Sequence, residues 1–412
     1  MNICYFSDVD ISLPNGPGVN EREFVWTLQS KSKVTGDRTF FLIPKPSEEL
    51  DFEIRNVDFY KKMFLEKLWL FGLSILFSNL RSFRLVSKKL KTTPIDLFVL
   101  RLRRTCICVP LYLSFIRQRY VIKTLGNIYN FQDQQMNIRS KIYYLFHRRI
   151  LGRVLSKASF IDVCTPQFYN NYRKAYKLNN IGIIENSVNT DRFFPLDKEE
   201  CKRKCGLERF TKIVGYCGGY PSQRGARQLV EISAKLVERH SGCGILIVGD
   251  DADLEDIKKK ANESGVKDHI IFTGIVDYEK LPIYMNCLDV GVGGLPSREK
   301  VHIRGSSAQK VRQYLACGIP VILAKYTNEE IIEQGLGKAV ATGDTKEILE
   351  TVSNYLDKSQ AEVDTFRKRA SEFANKHLST NFAYKQRYTA WMSSLKREGV
   401  QLKESNTYKK KM

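Results

Sequence analysis

Short apolar runs recur along this chain, each closed by glycine or a polar turn and followed by a stretch with helical spacing of apolar residues. In the first half the runs at 2–6, 39–43, 96–101, 120–124, 160–164 and 181–185 read as strands. In the second half a strand opens at Ile213 and runs into Gly218-Gly219, and a helix pattern follows at Gln228-Leu229-Val230-Glu231-Ile232. Further strands fall at 245–250, 270–274 and 288–294, and a helix follows whose end reads Tyr314-Leu315-Ala316-Cys317-Gly318-Ile319-Pro320-Val321-Ile322. Strands alternating with amphipathic helices predict a parallel sheet covered on both faces. In such sheets ligands bind beyond the carboxyl ends of the strands, where these glycine turns lie.

A length of 412 residues suits two domains, each large enough for its own core. The pattern places them at 1–185 and 186–378. The 10 cysteines are scattered, and neither Cys106-x-Cys108 nor Cys201-x3-Cys205 has a companion pair at metal-ligand spacing. None of the 5 histidines is paired with a glutamate at helical spacing, so no metal is expected. Met1 runs almost directly into the first strand, which leaves no room for a secretory signal. Free thiols in a reducing cytosol are the economical expectation.

The order of the short motifs is more specific than any one of them. Gly218-Gly219 with Arg224-Gly225 is followed by Val248-Gly249-Asp250, Phe272-Thr273-Gly274, Pro296-Ser297 and Ala316-Cys317-Gly318-Ile319-Pro320-Val321. This series resembles the carboxy-terminal half of the family 4 (group 1) glycosyltransferases of GT-B type. Upstream, Ile184-Glu185-Asn186-Ser187-Val188-Asn189 through Phe193-Phe194-Pro195 is similar to the segment that joins the two domains in that family. The resemblance implies an α/β GT-B fold, two Rossmann-like domains with parallel sheets facing across a cleft that holds the active site. It also implies that helical residues 379–395 cross back to the first domain. The tail 396–412 is basic, has little apolar content and reads as disordered.

The resemblance further implies transfer of a sugar, with retention, from a UDP- or GDP-linked donor to an acceptor, with no cofactor beyond the donor. Arg224 stands where the family's diphosphate-binding lysine stands, and a guanidinium serves phosphate in bidentate fashion. Gly218, Gly219 and Gly249 are the donor-side glycines. Gly305-Ser306-Ser307 reads as an open helix N-terminus offering N–H groups and hydroxyls to the same phosphates, with Lys310 one turn further in. The other reading of Ser306 is a plain helix cap. On the acceptor side the matching glycines are Gly16 and Gly18, read as a turn between the first strand and a helix from Glu21 to Leu28.

Three departures weaken the family pattern. Gly219 replaces an arginine, Gln313 replaces the ribose-binding glutamate, and Gly305 falls where the first glutamate of the pair belongs. Glu299 is the nearest substitute, and the catalytic residue stays unassigned. A first-domain histidine is also missing, since the corresponding segment reads Thr124-Leu125-Gly126. Two rival readings therefore stay open, a nucleotide-sugar epimerase on the same fold and a catalytically silent partner subunit.

Charge adds a separate clue. Lys and Arg total 66 against 45 Asp and Glu, a net of +21, yet no nucleic-acid recognition module is present. The segment 60–91 combines a short apolar stretch, containing Trp69, Phe71 and Phe77, with flanking Lys61, Lys62, Arg81, Arg84, Lys88, Lys89 and Lys91. It is too short to span a bilayer, which takes ~20 apolar residues. It suits a helix lying on an anionic membrane surface, and a buried helix with solvated ends is the other reading. A lipid-linked or surface-polysaccharide acceptor, and a cytoplasmic location at the inner face of the membrane, follow from the first of these.

Overall fold

The computed structural model describes residues 1–13, 15–61, 71–124, 138–219, 221–295, 308–325, 327–341 and 343–397. The chain forms two compact units. One comprises Met1–Leu13, Pro17–Glu185 and Tyr384–Met412, and the other contains Asn186–Ala383.

The first unit is built on seven parallel strands, β1 (Asn2–Phe6), β2 (Arg38–Pro44), β3 (Val57–Tyr60), β4 (Leu97–Arg101), β5 (Tyr120–Thr124), β6 (Phe160–Val163) and β7 (Ile181–Ile183). Their order across the sheet is β3-β2-β1-β4-β5-β6-β7. Alternation sorts each strand between two cores: Cys4 and Phe6 pack on one face, Ile3 and Tyr5 on the other. The second face is covered by the helices Gly16–Thr35 and Thr380–Arg397, which contribute Phe24, Leu28, Tyr384 and Trp391.

That covered face carries charge at its carboxyl edge. Lys123 follows Val121 and donates to Glu21 at 2.8 Å, and Arg101 lies 3.2 Å from the same carboxylate oxygen. Asp162 accepts from Arg387 Nε at 3.1 Å, pinning the carboxy-terminal helix to β6. Burial lowers the Lys123 pKa to about 8 against the opposing pull of Glu21. Burial likewise raises the Asp162 carboxyl, with Arg387 and then Lys123 resisting.

The second unit repeats the design with six parallel strands: β8 (Lys212–Cys217), β9 (Cys243–Val248), β10 (Ile270–Gly274), β11 (Val290–Val292), β12 (Val321–Ala324) and β13 (Gly337–Val340). The order is β10-β9-β8-β11-β12-β13, so the chain reverses direction across the sheet between β8 and β11. The helix Ala226–Arg239 buries Leu229, Val230, Ile232 and Leu236 against this sheet, the stripe expected of an amphipathic helix. Ser359 and Glu362 close a reciprocal capping box on the helix Gln360–Phe373.

Two corrections to the sequence reading arise here. Strands β3, β12 and β13 are additional to those read from the pattern; β3 and β13 are edge strands with half-exposed residues, so neither shows a continuous apolar run, while the buried β12 starts at Val321, a position that the pattern assigns to the end of the preceding helix. The first helix starts at Gly16, well before Glu21, so Gly16 and Gly18 occupy its first turn instead of a separate loop. Gly18 is buried, and a Cβ there would sit 2.3 Å from the Leu13 carbonyl oxygen, whereas Gly16 is exposed with open space around it.

Candidate functional site

The carboxyl edge of the second sheet gathers most of the donor-side residues predicted from sequence. β8 ends in Cys217 and turns at Gly218, whose N–H donates to the Val248 carbonyl at 2.9 Å. Gly249 follows β9 with φ +121°, and a Cβ there would lie 2.1 Å from the Gly218 carbonyl oxygen. Only glycine permits the two turns to touch in this way. The Gly249 N–H in turn donates to Gly274 at 2.8 Å, so three strand ends are laced together.

Lys310 reaches this junction from the helix Gln309–Ala316. Its Nζ donates to the Tyr216 hydroxyl and lies 3.7 Å from the centroid of the Tyr216 ring. It also packs on Gly218, where a Cβ would come within 3.0 Å of Nζ. Tyr216 passes the contact on, its hydroxyl donating to the Gly219 carbonyl at 2.7 Å. Among the described residues no carboxylate is paired with Lys310. Desolvation lowers its pKa well below the ordinary lysine value, and the like charge of Arg224 lowers it further. Burial pushes the neighbouring Cys217 thiol up to about 12 and raises the Tyr216 phenol, so neither supplies an anion at neutral pH.

Arg224 ends the short helix Pro221–Arg224, and its carbonyl accepts from Leu295 N at 2.8 Å, tying it to the segment after β11. Beside it, Asp251 Oδ2 accepts from Ser222 N at 3.0 Å and from Ser222 Oγ at 2.7 Å. Gln313 is buried on the same helix as Lys310. That helix is anchored from its other side by Arg312, which donates to Asn328 Oδ1 at 2.5 Å and to Glu330 Oε1 at 2.7 Å.

Gly218, Gly219, Arg224, Gly249, Lys310 and Gln313 thus lie on the elements that border the β8–β11 switch point. Ser306, Ser307 and Glu299 lie outside the described residues. The helix begins at Gln309 with Ala308 as its N-cap, so Ser306 is not the cap residue. Gly16 and Gly18 belong to the helix after β1. Tyr216 was not singled out from sequence; its place two residues before the glycine turn was the available signal. A cavity at the opposite, amino end of this sheet, lined by Lys198, Asn286, Asp289, Pro320, Tyr355 and Arg367, contains none of the predicted residues.

Residues 211–358, which include this site from β8 to the helix after β13, match the family model described as glycosyl transferases group 1. This segment belongs to the group 1 glycosyl transferases. The chain is 27% identical over 185 residues to a 2-deoxystreptamine glucosyltransferase of Streptomyces kanamyceticus, covering 43% of this chain and 45% of that protein. It is 25% identical over 185 residues to the lipopolysaccharide core biosynthesis mannosyltransferase LpsB of Rhizobium meliloti (strain 1021), covering 42% and 50%. The matched region therefore spans about half the length of those relatives. Among solved structures, Anabaena HepE in complex with UDP and glucose superposes with a TM-score of 0.69 over 95% of this chain and 99% of that one, at 14% identity. The glycosyl transferase segment thus sits in a chain of two Rossmann-like units, the GT-B fold.

Proposed function

We propose that this chain is a glycosyltransferase that takes a hexose from a UDP- or GDP-linked donor and passes it, with retention, to a lipid-linked or surface-polysaccharide acceptor. The observation that carries the reading is the cation pair Lys310 and Arg224, set over touching glycine turns at the switch point of a group 1 glycosyl transferase segment. A departing nucleoside diphosphate gains negative charge as the glycosidic bond breaks, and two cations with no carboxylate partner among the described residues are placed to stabilise it. Ser306 and Ser307 are assigned to the same phosphates, and Gln313 to the donor ribose. No metal is invoked. The lipopolysaccharide relative supports a glycolipid acceptor. A thermal-shift screen of UDP, GDP and their sugar conjugates tests the reading, since a ligand at a hundred times its Kd stabilises by ~2.7 kcal/mol. No shift with any of them refutes it.

The ribose assignment has its own test. Gln313→Ala is expected to weaken nucleoside diphosphate binding by ~1 kcal/mol, the worth of one hydrogen bond, while Gln313→Glu retains or improves it. Equal affinity of the alanine variant and the parent, read by titration, makes Gln313 a packing residue.

The same proposal places the protein on the inner face of a membrane. On the helix Phe71–Thr92, Leu76, Phe77, Leu80 and Phe83 are exposed on one side, with Arg84 and Lys88 beside them, and Phe115, which ends the helix Cys108–Phe115, is 86% exposed. Residues 62–70, the start of the apolar stretch, lie outside the described residues. No described helix is long and apolar enough to cross a membrane. An apolar stripe edged by basic residues suits anionic lipid, each surface cation adding ~1 kcal/mol that salt screens. The protein is expected to sediment with phosphatidylserine vesicles at low salt and to be partly released at high salt. Equal recovery in the supernatant with and without vesicles excludes membrane contact.

A further inference from the structure

Arg224, one of the two cations given to the donor diphosphate, stands on very little structure of its own. The helix Pro221–Arg224 is 4 residues long, too short to hold itself together in water. Its geometry must come from its neighbours. At its carboxyl end the Arg224 carbonyl accepts from Leu295 N at 2.8 Å, and Gly225 turns with φ +144° against Val292. At its start Ser222, which is buried, donates both its backbone N–H and its hydroxyl to one oxygen of Asp251, at 3.0 and 2.7 Å. The tie to Leu295 runs between backbone groups, whereas the tie to Asp251 is made by a side chain.

Asp251 is itself held from behind. It lies in the turn after β9, where its other oxygen accepts from Asp253 N at 3.2 Å and its carbonyl accepts from Leu254 N at 3.2 Å. These bonds open the helix Leu254–Glu263, which sets Leu254 and Ile257 into the core of the second unit. The carboxylate thus reaches from an element anchored in the core across to one that is not. Both of its oxygens are engaged in doing so.

Resting on the glycosyltransferase reading above, we propose that Asp251 is a positioning residue for the donor diphosphate, acting through Ser222 to fix the short helix that carries Arg224. Hydrogen bonds to a carboxylate are the stronger kind, and two converging on one oxygen fix direction as well as distance. A guanidinium on an unbraced turn samples many placements, and ordering it on phosphate then costs backbone and side-chain entropy. The brace removes the backbone share of that cost before the nucleotide arrives.

The sign of the effect separates this role from plain electrostatics. The charge of Asp251 reaches Tyr216, as that of Arg224 does, so an anion stands close to the anion site. Its field alone opposes phosphate, and removing it would tighten binding. A positioning role predicts the reverse.

Titration calorimetry of the full chain with UDP and with GDP decides between them. Asp251→Ala is expected to raise Kd about 5- to 20-fold for both nucleotides, a part of what loss of the guanidinium itself costs. In an Arg224→Ala background the same change should add less than about twofold, because the residue it acts through is gone. A defect spread through the unit would instead multiply with the loss from Arg224→Ala. Asp251→Asn can set its amide oxygen where the doubly bonded oxygen stands, so it should recover most of the affinity. If Asp251→Ala does not fold, Ser222→Ala removes the hydroxyl bond alone, and should raise Kd about 2- to 10-fold with the same dependence on Arg224.

Unchanged or tighter binding by a folded Asp251→Ala variant, or a loss that multiplies with Arg224→Ala, overturns the positioning role and leaves the glycosyltransferase reading standing. An Asp251→Asn variant as weak as Asp251→Ala overturns it as well. Absence of binding of both nucleotides to the unmodified protein overturns the function reading and this inference with it.

Discussion

Replacing Arg387 by methionine is expected to destabilise the first unit by ~3–5 kcal/mol, because it leaves the Asp162 carboxylate buried without its partner. Asp162 is 1% exposed, and the 3.1 Å contact from Arg387 Nε is its closest ion pair. The loss should depend on pH in a definite direction. Burial already raises the Asp162 carboxyl above its ordinary value, and removing the cation that resists this raises it further. A carboxyl with a raised folded pKa costs nothing while both states are protonated, and its penalty grows as pH climbs through the folded value. The variant should therefore lose more stability at about pH 8 than at about pH 5. Adding Asp162→Asn should recover part of the loss. No tryptophan falls within Asn186–Ala383, and Trp26 and Trp391 belong to the first unit, so urea unfolding followed by tryptophan fluorescence reports on the first unit. A loss under ~1 kcal/mol, the value of an exposed pair, would show that the contact is superficial.

Arg224→Ala is expected to weaken UDP and GDP binding by ~1.5–3 kcal/mol, the worth of a hydrogen bond to a charged group. That corresponds to a ~10- to 150-fold higher Kd. The penalty should be the same for both nucleotides, because the diphosphate is what they share. A loss confined to one base would move Arg224 to base recognition, and unchanged affinity in a folded variant removes it from the site. Its backbone carbonyl, which fixes the segment after β11, is untouched by the substitution, so the test isolates the guanidinium.

The two-sheet architecture was legible in the chain because buried parallel strands must be apolar along their whole length and glycine must stand where strand ends meet. Ile245, Leu246 and Ile247 in β9 and Val121 and Ile122 in β5 are unbroken apolar runs, and the strands were read at those positions. β3 escaped because Val57, Asp58 and Phe59 are not buried, and an edge strand buries too little to write an apolar run. The first helix was read too short for a related reason. Gly16 and Gly18 carry the signature of a turn, and only the approach of the Leu13 carbonyl shows Gly18 inside a helical one.

What the sequence determined by itself is the alternation of strand and helix, the positions of the glycine turns, and the resemblance that those turns in order carry. Each is a local property, written in the spacing of apolar residues and in the one residue type that tolerates close backbone contact. Partnership was decided only by the tertiary structure. Asp162 and Arg387 are 225 residues apart, and Tyr216 and Lys310 are 94 apart. No periodicity records such pairs, because burial makes a charge costly whatever its partner and says nothing of where along the chain the partner lies. The sequence could name Lys310 as a cation near phosphate. That it rests on a tyrosine, on bare glycine backbone and beside a second cation follows from folding alone.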